Sequence, residues 1–525
     1  MKRFILLALA SMLVLSVGGF AVPAGATHPG ASHLGMDLEF NSPNSTGATN
    51  SDLAFWGSYA YAGNYNGFRI FDISTDPPTL VTDYPCDGPQ NDVSVWDRDG
   101  NGQADILFMS VDSVMEGPAC GAARHLPPVA PFHPGDWEGI RIFDVSNPLA
   151  PVELPPIYQD CGSHTHTLVP DPANNRVLLY NASYSLRSGP SCGPGNPAGR
   201  DPVHGVIQVS QVKWDGSDPL NNALLSAVEI AEPPISYPGD PDNVFTPAHH
   251  GAPGFNPLRA CHDIGVLMGV DQHGNPTNKG GLVAGACAEQ AQLWRLDPVT
   301  LLPDTANPLW VFDNPEDTDG PGGGDAAADF WHSATFTWDG KIVNFSDESF
   351  GEGCPPTTLI TDPAASVTGE SDTGRTYFIK VKDGKLQSDF MIPRPDDSAG
   401  SYCSTHQGNT VATKGHHYFL IQAWYTGGVD VIDFHDPKKP KEVAYFDFDG
   451  AGASGSDNWA HYWYETDSGQ IIKKEALTTY GHDGVHTPAS GRGFEVFEVT
   501  EKGVMKHKRY TVDHLNPQTQ EYVLK

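Results

Sequence analysis

The sequence predicts an all-β fold, a seven-bladed β-propeller of four-stranded blades, and three observations support this prediction. Gly and Pro together supply 101 of the 525 residues (56 Gly and 45 Pro), a density typical of many short strands joined by turns. No segment of convincing length shows the 3.6-residue hydrophobic period of a helix. Short strand–turn–strand units recur along the chain, and such repeats are characteristic of propellers.

The first recurring unit is a strand, an Asp/Asn-Pro turn and a second strand. Its clearest copies begin at Gly67 (GFRIFDISTDPPTLV), Gly139 (GIRIFDVSNPLAPVE) and Gly428 (GVDVIDFHDPKKPKEV). Weaker copies begin at Gly205, Ala291, Gly374 and Gly493. Between the copies lies a second unit of strand, polar turn and strand, as in the segments that start at His164, His332 and His406. The two units together predict four strands per repeat and seven repeats.

The GFRIFDIS and GIRIFDVSNP segments resemble the repeat of the LVIVD-repeat family of exported β-propeller proteins. The resemblance is specific in the three clear copies and extends over most of the chain from about residue 50. It implies a propeller fold and an extracellular or cell-surface location. It implies little about activity.

Charge and the first residues of the chain bear on location and partners. Asp and Glu number 64 against 31 Lys and Arg, a formal net charge of −33, which argues against nucleic acids and anionic membranes as partners. Residues 1–26 have the basic start, apolar run and Ala-Gly-Ala end of a signal peptide. We therefore expect a signal peptide (1–26), an N-terminal extension (27–50) and a single propeller domain (51–525), secreted or in the cell-envelope space, with no transmembrane segment after cleavage. The sequence does not decide how the ring closes.

All eight cysteines follow the signal peptide, and an even number in an oxidising compartment favours disulfides. The simplest pairing joins sequence neighbours: Cys86 with Cys120, Cys161 with Cys192, Cys261 with Cys287, and Cys354 with Cys403. Eight cysteines allow 105 pairings, so this pairing is one interpretation among many.

Histidines recur where the second unit begins. The aligned residues are His164, His262, His332, His406 and His461, with Asn91 and Ser51 in the same position of two further repeats. The first strand of a propeller blade lies beside the central channel, so these side chains are expected at one mouth of it. His166 lies two residues after His164 and is expected on the same side of the strand. The ends of the following strands add Asp112, Asn181, Tyr184, Asp347, Glu348, Trp424 and Tyr425.

The predicted cup of imidazoles, bordered by carboxylates and aromatic rings, has two interpretations. Neutral imidazoles on rigid strands suit a transition metal such as Cu, Fe, Zn or Mn, with His164, His166, His262, His332, His406 and His461 as candidate ligands. Nearby carboxylates would orient the rings or act as a base. Alternatively, each histidine bonds a neighbouring blade and has a structural role only. The sequence leaves both interpretations open.

A second candidate metal site is the segment Asp97–Asp105. Its residues Asp97, Asp99, Asn101 and Asp105 place oxygen atoms at alternating positions around glycines, a pattern that suits a structural Ca²⁺ ion. The twelfth position, counted from Asp97, does not carry the Glu that an EF-hand requires, which excludes that motif. An Asp/Gly hairpin turn without an ion explains the same residues.

Two functions follow from these observations. The first is a binding or scaffold propeller whose cup recognises a small molecule or an extracellular protein. The second is a metal-dependent (Cu- or Fe-type) extracellular oxidoreductase that uses the histidine cluster. A calcium-dependent hydrolase of an anionic substrate fits poorly, because an acidic cup would repel that substrate. The sequence leaves open whether the protein is an enzyme, and it identifies no catalytic residue.

Overall fold

A computed structural model of the chain describes residues 32–44, 46–125, 133–183, 205–214, 221–229, 261–270, 276–287, 290–313, 331–348, 374–394, 403–448, 458–470, 475–483 and 492–521. These residues are mostly strand, which confirms the all-β prediction. The helical segments among them are a 3₁₀ turn, Pro172–Asn174, and one short helix, α1 (Lys502–Met505). No helix among them is long and apolar enough to span a membrane.

The first eighteen strands are β1 (Ser32–Leu34), β2 (Met36–Pro43), β3 (Asn50–Trp56), β4 (Tyr59–Asn64), β5 (Gly67–Asp72), β6 (Thr79–Pro85), β7 (Gln90–Trp96), β8 (Ile106–Met115), β9 (Trp137–Asp144), β10 (Val152–Tyr158), β11 (Thr165–Asp171), β12 (Arg176–Ala182), β13 (Val206–Lys213), β14 (Asn221–Glu229), β15 (Asp263–Val270), β16 (Pro276–Cys287), β17 (Gln290–Leu296) and β18 (Trp310–Asp313). The later strands are β19 (Trp331–Phe336), β20 (Ile342–Asp347), β21 (Thr376–Lys380), β22 (Leu386–Phe390), β23 (Gln407–Thr410), β24 (Phe419–Ala423), β25 (Val429–Asp433), β26 (Lys441–Asp447), β27 (Asn458–Trp463), β28 (Leu477–Asp483), β29 (Gly493–Val499), β30 (His514–Leu515) and β31 (Thr519–Glu521).

Sets of four consecutive antiparallel strands make up the sheets. Strands β3–β6, β7–β10, β11–β14, β15–β18 and β19–β22 each form one set, and β23–β26 and β27–β29 form the two halves of a larger sheet. The first strand of each set contacts the first strand of the next, in the order β3, β7, β11, β15, β19, β23, β27 and back to β3. The described sheets therefore surround a common axis, which is the arrangement of a β-propeller.

The repeated glycine has a local physical cause. Gly67 begins the third strand of its set and Gly139 is the third residue of the equivalent strand, and both have φ near +142°, a conformation that residues with a side chain rarely adopt. A Cβ atom at Gly67 would lie 1.9 Å from the carbonyl oxygen of Tyr84, and one at Gly139 would lie 2.2 Å from that of Ile157. Glycine at this position therefore lets the fourth strand approach closely.

The aspartate that ends the third strand fixes the turn that follows. Oδ1 of Asp72 accepts a hydrogen bond from the backbone N–H of Ser74, and Oδ1 of Asp144 accepts one from Ser146. Side-chain bonds to the backbone two residues ahead stabilise turns of this kind. The GxRIFD pattern thus records one close approach of the third and fourth strands and the turn between them.

The N-terminal strands take part in the late sheets. Strand β2 pairs antiparallel with β29 and supplies the outer strand of the set that begins with β27, while β1 pairs with β26. Residues 32–43, which the sequence assigned to an extension, thus connect the start of the chain to its last sheets. This pairing closes the ring between early and late segments.

Candidate functional site

Four of the aligned histidines lie side by side where the inner strands begin. His332 lies in β19, and His164, His262 and His406 lie immediately before the starts of β11, β15 and β23. The ring centroids of His164 and His262 are 4.5 Å apart, those of His262 and His332 4.0 Å, and those of His332 and His406 4.0 Å. All four residues are buried. We call these histidines, together with Glu348 and Tyr425, the imidazole cup.

Hydrogen bonds fix the orientation of three of these rings. Nδ1 of His262 lies 3.2 Å from the carbonyl oxygen of His332, and Nδ1 of His406 lies 2.5 Å from that of Trp459. Nδ1 of His164 lies 2.8 Å from a carboxylate oxygen of Asp112. Because a carbonyl only accepts, Nδ1 of His262 and of His406 carries the proton, and Nε2 is left with its lone pair. These bonds connect neighbouring sets of strands, and those of His262 and His406 place the ring proton on Nδ1 rather than on Nε2.

His332 differs from its neighbours. Its side chain is fully buried, and neither ring nitrogen has a hydrogen-bond partner among the described residues. Its Nε2 lies 3.6 Å from a carboxylate oxygen of Glu348, whose other oxygen lies 4.0 Å from Nε2 of His406. One ligand atom from each of His262, His332 and Glu348 lies within 4.8 Å of the others, close enough for one metal ion to contact all three.

Aromatic side chains border the same carboxylate. The hydroxyl of Tyr425 donates a hydrogen bond to Glu348 Oε1, and its ring lies 4.8 Å from that of His406. Tyr425 has a φ of +42°, a strained value for an aromatic residue. The ring of Trp459 packs 4.5 Å from that of His406.

Burial sets the protonation of the cup. It lowers the pKa of His262 and His332 well below the ordinary value, and neighbouring imidazoles add to this effect. Burial also lowers the pKa of His406 to about 3, against the opposing bond to Trp459. The rings of His262, His332 and His406 are therefore neutral at pH 7, the form that binds metals. Burial raises the pKa of Glu348 to about 7, opposed by the hydrogen bond from Tyr425.

Two predicted histidines do not join the cup. The ring nitrogens of His166 lie 2.7 Å from Ser94 Oγ and 2.8 Å from Ser110 Oγ, so both are occupied between two sheets. Nε2 of His461 lies 2.7 Å from Thr479 Oγ1, and its ring packs against Phe497. The register of β23 and β27 pairs His461 with Gly408, which makes Trp459 the equivalent of His406.

Most of the other residues that the sequence predicts at the border of the cup instead pack in the core or bond the backbone of neighbouring segments. Trp424 is buried in a core cluster with Phe390 and Cys403 rather than in the cup. The Asn91 amide donates to the carbonyl of Asn64, and the Asn181 amide donates to that of Gly162. Asp347 is buried, and its backbone N–H donates to Thr405 Oγ1. Tyr184 lies outside the described residues.

A layer of buried carboxylates also lies along the inner strands, and the sequence analysis missed it. Asp52, Asp92 and Asp263 are almost completely buried, and burial is the main cause that raises the pKa of Asp52 and Asp263, with repulsion from Asp92 adding to it. Tyr462 donates to Asp52, and Gln407 donates to Asp263. The signal was present in the sequence: each aspartate directly follows an aligned residue, in Ser51-Asp52, Asn91-Asp92 and His262-Asp263.

The C-terminal segment lies at the ends of the inner strands that are farther from the imidazole cup. Strand β31 pairs parallel with β15, and β30 pairs with β3. The amide of Asn516 bonds both the N–H and the carbonyl of Val95, and the amide of Gln520 does the same with Phe336. Residues 514–521, which we call the tail, therefore lie across the end of the inner strands away from the cup.

The segment predicted to bind Ca²⁺ connects β7 and β8. Oxygen atoms of Asp97, Asp99 and Asp105 lie within 4.8 Å of one another. The Asp97 carboxylate accepts hydrogen bonds from the N–H groups of Gly100, Asn101 and Gly102, and Asn101 Oδ1 accepts one from Gln103. These bonds are equally those of a hairpin turn, so the geometry fits both interpretations.

Two of the predicted cysteine pairs lie at disulfide distance in the structure, Cys86–Cys120 and Cys261–Cys287. Cys161 and Cys403 are buried, and the partners predicted for them, Cys192 and Cys354, lie outside the described residues. Those two pairings stay predictions.

No family model matches the chain, and no curated protein matches it. Several solved structures, two of them described as β-propellers, are similar in outline. BBS1N, in complex with ARL6DN, has 9% identity and a TM-score of 0.45, over 89% of this chain and 97% of that chain. The Cps50 (Swd1) β-propeller domain of Myceliophteria thermophila has 9% identity and a TM-score of 0.44, over 89% and 100%. The Dos1 propeller has 10% identity and a TM-score of 0.42, over 88% and 82%.

Proposed function

We propose that the protein is an exported, seven-bladed β-propeller that binds one transition-metal ion in the imidazole cup. The proposed ligands are His262, His332 and Glu348, with His406 as a fourth. The observation that carries the proposal is His332, a fully buried imidazole with no hydrogen bond from the described residues on either nitrogen and with Glu348 3.6 Å away. A bound ion is one way in which such buried ring nitrogens are satisfied, and His262 and Glu348 offer ligand atoms within 4.8 Å of that of His332.

The donor set restricts the kind of metal. Two imidazoles and one carboxylate are the ligands typical of non-haem Fe(II), and imidazole-rich sites also bind Cu and Zn. The bonds from Nδ1 of His262 and His406 to backbone carbonyls match the outer contacts that orient metal-bound histidines. The Asp112 carboxylate has the same relation to His164.

Blade number and export are parts of the same proposal. The closed order of contacts among β3, β7, β11, β15, β19, β23 and β27 supports seven blades. The LVIVD-like repeats and the two cysteine pairs at disulfide distance support an extracellular or envelope location. If the cup holds no ion, the same mouth of the channel would be a binding surface, and the protein would be a scaffold propeller.

A metal-dependent oxidoreductase is the second candidate. The ligands His262, His332 and Glu348, with His406 as the fourth, would fill four positions of a six-coordinate ion and leave two open for a substrate. The Tyr425 hydroxyl on Glu348 could hold a proton beside those positions. This activity depends on the metal site and is worth assaying only when the site is established.

Metal analysis of matched variants tests the proposal. We expect about one equivalent of Fe, Cu, Zn or Mn in the untagged protein after dialysis without chelator, and less than about a tenth of that in His332→Ala. His461→Ala is the matched control, because it removes an equally buried histidine outside the cup. Circular dichroism checks the fold of both variants. No bound metal in the wild-type protein after reloading, or equal metal in both variants, would exclude the proposal.

We also propose that the Asp97–Asp105 segment binds Ca²⁺. In chelator-treated protein, Ca²⁺ at a hundred times its Kd is expected to stabilise the folded state by about 2.7 kcal/mol. For a chain of this length, that stabilisation raises the unfolding temperature by about 3 °C. Asp99→Asn should remove this response, and Asp83→Asn, a carboxylate on an outer strand, should keep it. A shift in Asp99→Asn as large as in the wild type would contradict the proposal.

A further inference from the structure

A pocket lies between two sheets, at the ends of the inner strands away from the cup. It has a volume of about 390 Å³ and is lined by Lys341, Ile342, Lys380, Lys382, Tyr418 and Pro437. Lys341 precedes β20, the two further lysines lie at the turn from β21 to β22, Tyr418 precedes β24 and Pro437 lies between β25 and β26. The volume is within the range of pockets that hold small organic molecules.

The apolar wall of the pocket is held in place by contacts across the two sheets. The Tyr418 hydroxyl donates a hydrogen bond to Asp339 Oδ2 at 2.9 Å, and its ring stacks 5.4 Å from that of Phe434. Ser388 Oγ donates to the carbonyl of Pro437 at 2.7 Å, which ties the turn after β25 to β22. These bonds preform the pocket, so a ligand would pay little to organise it.

The charge around the pocket is opposite to that of the chain. Lys341 pairs with Asp339, whose carboxylate lies 2.8 Å from its Nζ. In the part of the chain that the structure describes, neither Lys380 nor Lys382 has a carboxylate within 4.0 Å, and the same holds for Lys438, Lys439 and Lys441 on the neighbouring turn and strand. Lys380 and Lys382 line the pocket, and Lys438 and Lys439 directly follow its lining residue Pro437, in a protein of net charge −33. Such a patch attracts anions.

We propose that this pocket binds a small organic anion, with a carboxylate or sulfonate group carried on an aromatic or alkyl body. The lysine stems, Ile342 and the ring of Tyr418 would cover the apolar body, while the ammonium groups of Lys380 and Lys382 pair with the anionic group. The site is independent of the imidazole cup, because Gly340 and Lys341 follow the end of β19 while His332 lies near its start.

The test uses 1-anilinonaphthalene-8-sulfonate, a fluorescent aromatic sulfonate, with the full chain. We expect saturable binding of one probe, displaced by decanoate but not by the same concentration of decanol, which has the same alkyl chain without the charge. In Lys380→Glu/Lys382→Glu, the Kd of the probe should rise at least tenfold. Lys213→Glu/Lys502→Glu is the control, because it makes the same charge change at positions that do not line the pocket.

The outcomes separate the proposal from its alternatives. An equal Kd in the two double variants would overturn it and show that the probe binds elsewhere. Displacement by decanol as effective as by decanoate would overturn it in favour of an apolar surface without anion selectivity. Both double variants change lysines at the surface, so loss of folding is not expected to hide the result.

Discussion

A chain that ends at Asp513 is expected to unfold about 5 °C below the full chain, although it keeps β1 to β29, which include every strand of the sets described above. The tail bonds inner strands of different sheets: Asn516 with Val95, Thr519 with Leu168, and Gln520 with Phe336. Asn516 and Gln520 make two of these bonds each and Thr519 makes one. Each buried bond contributes about 1 kcal/mol, so the loss of all five should cost about 5 kcal/mol. For a chain of this length, about 1 kcal/mol shifts the midpoint by about 1 °C.

The control for this truncation is a chain that ends at Glu521, which keeps the tail and should unfold like the full chain. Differential scanning calorimetry at one scan rate measures both. Metal content should be unchanged in the shorter chain, because the tail and the cup lie at opposite ends of the inner strands. An unfolding temperature within 1 °C of the full chain would mean that the tail contributes no net stability.

Asp92→Asn is expected to stabilise the protein at pH 8 and to leave its stability unchanged at pH 4. Burial raises the pKa of Asp92 to about 7, opposed mainly by the N–H of His166 that donates to its carboxylate. The folded state therefore binds a proton more tightly than the unfolded chain, and stability falls as the pH rises from about 4 through about 7. The full penalty above that window is at most about 4 kcal/mol. Asparagine keeps an oxygen acceptor for His166 and has no charge to bury.

The measurement is the unfolding temperature between pH 4 and pH 8.5 in the presence of EDTA. The wild-type and Asp92→Asn curves should meet at low pH and separate by up to about 4 °C at high pH. Asp83→Asn, on the partly exposed outer strand β6, should follow the wild type throughout. Parallel wild-type and Asp92→Asn curves would show that Asp92 does not titrate in this range.

Features with a local cause could be predicted from the sequence. Gly67 and Gly139 recur because a Cβ atom would collide with the next strand, and Asp72 and Asp144 recur because each bonds the turn after it. Such causes act within a few residues and repeat with the unit, so they leave a readable pattern. The same regularity predicted that the cup histidines would meet, since each lies at the start of an inner strand.

Features that depend on register or on distant partners were decided by the tertiary structure. A register shift between Asn458 and Ala460 alters the simple alternation of side chains, and it is Trp459, not His461, that packs against His406. His164 precedes β11, so alternation along the strand does not place His166 beside it. Asp52, Asp92 and Asp263 come together from three sheets, and the tail bonds residues more than 180 positions away. The sequence determines which side chains each inner strand carries. The closure of the ring of sheets decides which of those side chains become neighbours.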